Sequence, residues 1–248
     1  MSKLIFLGCL SRKNFIATCE NAIKLIKFLD KEYKVLDDAP CCGSLAFHTA
    51  SDDELKKHLH SVNEWFKVNE ITELVTICAG CYNYLSRYYI EYLGNDFDIE
   101  VQHIVQFMNK RENIKKLDLK YTGDKKFTIA YHDPCHLRNA MNPIIEEPRN
   151  ILNSIKGEIQ LKEMKNNTFN SLCCGSGGGV YSVFKEDSDY NSPLIFKQAK
   201  RKHAKVLITS CPFCYTALKR VKEEAKIKTD VMKLEDFIIK IMNGEMII

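Results

Sequence analysis

Ten of the eleven cysteines in this 248-residue chain fall into two sets of five that share one internal order. A lone Cys comes first, then an adjacent Cys-Cys followed by Gly, then a Cys-x-x-Cys. The first set is Cys9, Cys41 and Cys42 before Gly43, then Cys78 and Cys81. The second is Cys135, Cys173 and Cys174 before Gly175, then Cys211 and Cys214. The intervals are 31 and 35 residues in the first set and 37 and 36 in the second. Thiolates are soft ligands and select zinc or iron–sulfur groups over hard cations. Structural zinc takes four ligands in a tetrahedron, and an ordinary cubane cluster also takes four thiolates. Five per set leaves one over, twice. Neighbouring cysteines reach one zinc with poor angles, but they can reach different irons of a larger core. The count therefore points to an extended iron–sulfur group in each set, with structural zinc in one or both as the alternative. A thioredoxin-like reading of either Cys-x-x-Cys leaves three cysteines of its set unexplained. The run Gly175-Ser176-Gly177-Gly178-Gly179 lacks the Lys-Ser/Thr ending of a phosphate loop. Its glycines suit close backbone approach to sulfur, with N–H groups as donors.

The elements between the cysteines alternate. Short apolar strands are expected at Lys3–Leu7, Tyr33–Leu36, Leu74–Ile77 and Ile99–Val101. Helical periodicity covers Phe15–Leu29 with Asn14 as its cap, Ser51–Val68 with a Ser51/Glu54 capping box, Tyr82–Leu93, and a short Ile104–Met108. Arg111–Lys126 is charged and weakly patterned, as a connector would be. The pattern then restarts: strands at Phe127–Tyr131, Ile159–Met164 and Val206–Thr209, with helices near Ile144–Ile155, Pro193–His203 and Tyr215–Ala225. Glu100-Val101…Ile104…Phe107 parallels Asp230-Val231…Leu234…Phe237. The expected fold class is α/β: two tandem pseudo-repeats, each a small Rossmann-like unit on a parallel sheet. Their expected bounds are 1–112 and 127–248, with 113–126 between. Ligands of such sheets gather beyond the carboxyl ends of the strands, and every cysteine group sits at such an end.

The bulk composition narrows the classes. At 45% hydrophobic and 27% charged, without low-complexity tracts, the chain has the make-up of a globular domain. A net charge of +4 without a basic stripe or stacking aromatics argues against nucleic-acid binding. No run approaches a transmembrane segment, and the apolar stretch at Leu4–Leu10 is too short and abrupt for a signal peptide. A cytoplasmic setting is expected, where repeated cysteines favour metal or redox chemistry over disulfides. Cys19, inside a predicted helix and outside both sets, is expected to be a small buried hydrophobe.

The doubled motif resembles the cysteine-rich CCG domains found in the B and D subunits of heterodisulfide reductases, and the likeness covers nearly the whole chain. Related domains occur in thiol–fumarate reductase and in iron–sulfur subunits of glycolate, lactate and glycerol-3-phosphate oxidising complexes. The resemblance implies an iron–sulfur oxidoreductase subunit in which each quintet binds a noncubane [4Fe-4S] cluster and a small-molecule disulfide is cleaved between the two. Cys9, Cys41, Cys42, Cys78 and Cys81 would hold one cluster; Cys135, Cys173, Cys174, Cys211 and Cys214 would hold the other. Larger relatives carry a ferredoxin-like Cys-x-x-Cys-x-x-Cys-x-x-x-Cys-Pro segment, which this sequence lacks. Electrons are therefore expected from a partner, either a ferredoxin-like or C-subunit-like donor or a flavoprotein. The alternative from another class is a non-catalytic electron relay of a flavin-dependent hydroxy-acid (glycolate or lactate) dehydrogenase; a third is a zinc-stabilised interaction module. His132 and His136 flank Cys135 and are the candidate catalytic residues, because histidine can give a proton to a leaving thiolate near neutral pH. His48 is a weaker candidate for the same task. Donors to a ligating sulfur, or satisfied loop residues, are the plainer readings of all three.

Overall fold

A computed structural model describes residues 2–247 of the chain; Met1 and Ile248, the outer ends of the two expected repeats, lie outside them. Two four-stranded sheets form, and every pairing in both is parallel. The first has the order β2-β1-β3-β4, from β1 (Ser2–Phe6), β2 (Tyr33–Lys34), β3 (Ile71–Thr76) and β4 (Glu100–His103). The second has the order β6-β5-β7-β8, from β5 (Phe127–His132), β6 (Ile159–Leu161), β7 (Val206–Thr209) and β8 (Asp230–Lys233). The two orders are one topology written twice, as an internal duplication requires. Leu4, Ile5, Leu74, Val75, Ile129, Val206, Leu207 and Ile208 are buried, the signature of central parallel strands covered on both faces.

One continuous core joins the halves. It takes Leu25, Val75, Ile104 and Phe107 from the first repeat and Ile129, Ile151, Leu207 and Phe237 from the second. The outer face of the first sheet has its own cluster, in which Leu59 and Phe66 pack on Leu4, Phe6 and Leu74. Polar ties cross the seam: Thr18 Oγ1 and Asn21 Nδ2 donate to the Asp236 carboxylate at 2.8 and 2.9 Å, and Tyr82 donates to the Asn142 carbonyl at 3.1 Å.

Several elements differ from their expected bounds. The capping box is present, with Ser51 accepting from the Glu54 amide at the head of Asp52–Val68. Asn14 is no cap: it ends a separate turn of helix, Cys9–Asn14, and the next helix starts at Ile16 after the kink at Phe15. That extra turn carries Cys9 at its first position. Pro193 does not open a helix either, since it lies inside Lys185–Arg201. The upstream turns are held by tertiary contacts, with Arg220 2.5 Å from Asp189 and Ser192 Oγ donating to the Cys174 carbonyl at 3.4 Å. The expected helix Tyr82–Leu93 is interrupted by a π turn at Tyr84–Tyr88.

Candidate functional site

Each cysteine group lies beyond the carboxyl end of a strand. Cys9 and Cys135 follow β1 and β5 and open short helices; Cys78 and Cys211 follow β3 and β7 at the N-caps of the next helices. Four of the ten thiols thus sit at the N-terminal ends of helices. The Cys-Cys-Gly loops reach the same edge by a longer route. Asp133, just past β5, forms a buried forked pair with Arg149 at 2.8 and 3.0 Å and also accepts from the Thr168 amide at 2.8 Å. Arg149 in turn donates to Glu163. Arg138 donates to the carbonyls of Phe169 and Ser171, clamping the strand of chain that enters Cys173.

Within each set the sulfurs form an arc in the same sequence. In the first, Cys9 lies 3.5 Å from Cys41, Cys41 is hydrogen-bonded to Cys42, Cys42 lies 3.3 Å from Cys81, and Cys81 is hydrogen-bonded to Cys78. In the second, Cys135 lies 3.9 Å from Cys173, which is followed by Cys174, Cys214 and Cys211 through the corresponding contacts. The measured separations bracket the edge of about 3.8 Å between thiolates on a tetrahedral zinc. Five soft donors are one more than a tetrahedral ion takes, and they suit a polynuclear group.

The arcs are electrostatically graded. Cys41 is pulled down to about 2 by hydrogen bonds from Cys42 and Cys9 and by the Gly43 amide. Cys173 is likewise drawn down to about 2, by Cys135 and Cys174 and by the Gly175 amide. Cys9 and Cys135 are pushed up, first by their contacts with those sulfurs and then by burial. Gly43 and Gly175 have φ of 76° and 71° and point their amides at Cys41 and Cys173 Sγ from 3.5 and 3.4 Å. Only glycine fits here: a Cβ on Gly175 would stand 2.7 Å from the Ser188 amide nitrogen, and one on Gly43 2.6 Å from the His58 ring.

The two sets differ in what lies before them. A cleft of about 590 Å³ opens at the second, lined by Cys135, Cys173, His136, the loop Gly175–Gly178, Asp187 and Asn191, and by His48 from the first repeat. At the first set only about 20 Å³ is free, and Phe213 from the second repeat's Cys-x-x-Cys lines it. The matching position in the other Cys-x-x-Cys is Gly80, where a Cβ would stand 3.6 Å from His136.

The histidines separate accordingly. His136 lines the cleft, and burial lowers its pKa, so the ring is neutral there. His132 is 1% exposed with neither ring nitrogen hydrogen-bonded, and burial lowers its pKa to about 4. His48 lines the opposite wall, its Nε2 2.5 Å from the Tyr84 hydroxyl on the π turn. Tyr84 and His58 were not candidates from sequence. His58 lies seven residues into Asp52–Val68 and brings Nε2 within 3.0 Å of the Cys41 carbonyl. His58 shares no segment with a cysteine, and Tyr84, three residues after Cys81, meets His48 from a separate segment, so only the tertiary fold completes these contacts. Cys19 is buried in the core and its thiol is pushed up to about 11 by burial, as a small hydrophobe's would be.

Comparison with known proteins agrees with the duplication. The cysteine-rich domain family CCG matches residues 4–86 and again 129–219. The D subunit of the dihydromethanophenazine:CoB–CoM heterodisulfide reductase of Methanosarcina acetivorans is 30% identical over 238 residues, 94% of this chain and 56% of that one. The B subunit of the fumarate reductase (CoM/CoB) of Methanothermobacter marburgensis is 28% identical, covering 86% of this chain and 41% of its own length. A probable glycolate oxidase iron-sulfur subunit of Bacillus subtilis is 26% identical, over 86% and 48%. The chain thus spans about half the length of these relatives. A solved structure of a hypothetical protein from Helicobacter pylori superposes with a TM-score of 0.67 over 99% of this chain and 49% of its own, at 12% identity, a likeness of fold alone.

Proposed function

Because this chain belongs to the cysteine-rich CCG domain family, we propose that it is an iron–sulfur oxidoreductase subunit that reduces a small-molecule disulfide, or a comparable two-electron acceptor. Its relatives include iron–sulfur and heterodisulfide reductase subunits, which supports the redox class. The observation that carries the reading is the arc of five sulfurs, present twice in one order. In this reading Cys9, Cys41, Cys42, Cys78 and Cys81 hold one noncubane [4Fe-4S] cluster, and Cys135, Cys173, Cys174, Cys211 and Cys214 the other. Such clusters, when bound, would supply electrons one at a time, two in all for each disulfide.

The chain's own residues shape the rest. A disulfide that accepts two electrons and two protons leaves as two thiols; the electrons come from a ferredoxin-like, C-subunit-like or flavoprotein donor. The cleft at the second set receives the substrate beside Cys135 and Cys173, and Gly177 and Gly178 keep its wall low. His136, neutral and within the cleft, orients a proton toward the departing sulfur, and the hydrogen-bonded His48 and Tyr84 serve from the opposite wall. His132 lies behind Cys173 as an enclosed partner of that side of the arc. The cleft favours this reading over a pure electron relay, which needs no space for a substrate. Among the described residues no helix is long and apolar enough to cross a membrane.

Anaerobically prepared protein should carry about eight irons and eight acid-labile sulfides. Replacing Cys174 with Ala should remove about half of both and one of two EPR signals. Near-absence of sulfide, with zinc in its place, sinks the proposal in favour of a zinc-stabilised module. Full clusters without turnover of any disulfide at an artificial reductant turns it toward the relay.

A further inference from the structure

We propose that Lys233 is a positioning residue shared by both cysteine sets, a fixed buried cation that raises the reduction potential of the groups bound at each. The inference rests on the reading of the sets as iron–sulfur sites.

Lys233 ends β8, paired in register with Thr209 of β7, two residues before Cys211. Its side chain leaves the second repeat and enters the first, where Nζ donates to the Ile77 carbonyl at 2.9 Å, immediately before Cys78. The ammonium therefore stands between one cysteine of each set. Cys78 and Cys211 are the two thiols whose charge acts on it. Its counter-ion is Glu235, 2.6 Å away, and both side chains are 0% exposed. Cys19, outside both sets, feels Lys233 and Glu235 with opposite sign, and Asp236 also acts on Glu235.

Burying an ammonium costs several kcal/mol before its partners compensate, and the fold shows that it does not need one here. The duplicated position in the first repeat, ending β4, is His103. That side chain is wholly buried near Ser210, just before Cys211, its Nδ1 accepting from the Val105 amide at 3.3 Å, and it is neutral because burial holds its pKa down to about 3. A neutral group suffices structurally at one of two related places, and a permanent charge occupies the other. A positive charge in a low-dielectric interior favours the more negative, reduced state of a nearby centre.

The test is potentiometric EPR titration of the anaerobic, cluster-loaded protein as wild type, Lys233→Met, Lys233→Arg and Glu235→Gln. Lys233→Met should lower the midpoint potentials of both signals at unchanged iron content, and Lys233→Arg should restore them. Glu235→Gln, which removes the opposing charge, should raise both. Unmoved potentials at full iron, or a shift confined to one signal, overturn the proposal and leave the cluster reading intact. If Lys233→Met fails to hold iron, Glu235→Gln decides: potentials unmoved or lowered overturn it. Wild-type protein without acid-labile sulfide overturns the cluster reading and this inference together.

Discussion

Gly175 combines a left-handed backbone with a missing Cβ that would strike the backbone of the following helix. Alanine there should cost about 1–3 kcal/mol in urea denaturation and displace the Cys173–Cys174 pair, so the iron content should fall toward half. Buried histidines set the response to acid. His103 and His132 fold in the neutral form, with pKa values lowered by burial to about 3 and about 4. Above the ordinary histidine value of about 6.5 they leave stability unchanged. As pH falls from there toward 4, the unfolded chain takes up protons that the folded chain refuses. Each histidine then removes about 1.4 kcal/mol per pH unit. His132→Phe copies Phe6, its counterpart in the first repeat, and should make that acid limb shallower by about one proton. An unchanged slope in denaturation measured from pH 7 to 4 counts against an enclosed neutral ring. At this scale the two groups of five cysteines that the fold brings together were legible from spacing. His58 was not, because a helix face far along the chain brings it to the loop, and Tyr84 was not, because its partners His48 and His136 come from other segments.

Central strands were read closely, since continuous apolar runs such as Val206–Thr209 leave little freedom of assignment. Two edge strands were overdrawn. Tyr33–Leu36 and Ile159–Met164 each stop early, at Lys34 and Leu161. An edge strand is held on one side only, and here the chain must leave the sheet to carry the Cys-Cys-Gly loop to the cysteine edge. In the second repeat that departure is pinned by Asp133, Arg149 and Glu163, which no local pattern reveals. Arg149→Met would leave the Asp133 carboxylate buried without its cation. The expected loss is about 3 kcal/mol in chemical denaturation, with the second cluster more easily lost to chelator than the first. Equal loss from both sites would contradict the assignment of that triad to one loop. Pro193 misled for a related reason. Proline favours the first turn of a helix, but contacts made by Ser188, Asp189 and Ser192 extend the helix two turns before it.

The two repeats share a topology but not an independent core. Leu25, Val75, Phe107, Ile129, Leu207 and Phe237 lie in one cluster, so each half would expose apolar surface if separated. Residues 1–126 and 127–248 expressed apart should each lack a cooperative unfolding transition, while the full chain shows a single one. Two transitions in the full chain, or a folded half, would refute the joint core. The duplication itself was legible from the doubled motif. Its broken symmetry was not, because Phe213 and Gly80 differ in size at equivalent places, and only the fold places each against the opposite set.

Each arc holds an odd number of sulfurs, and disulfides consume thiols two at a time. Oxidation in air that stays within an arc must therefore strand one thiol there, whatever the pairing. With Cys19 outside both, a chain oxidised only within its arcs keeps at least three titratable thiols out of eleven. Where the stranded sulfur is Cys9 or Cys173, both exposed, it becomes a point of covalent attachment between molecules. Parity and exposure together make dimers joined by a reducible bond the expected signature of air oxidation.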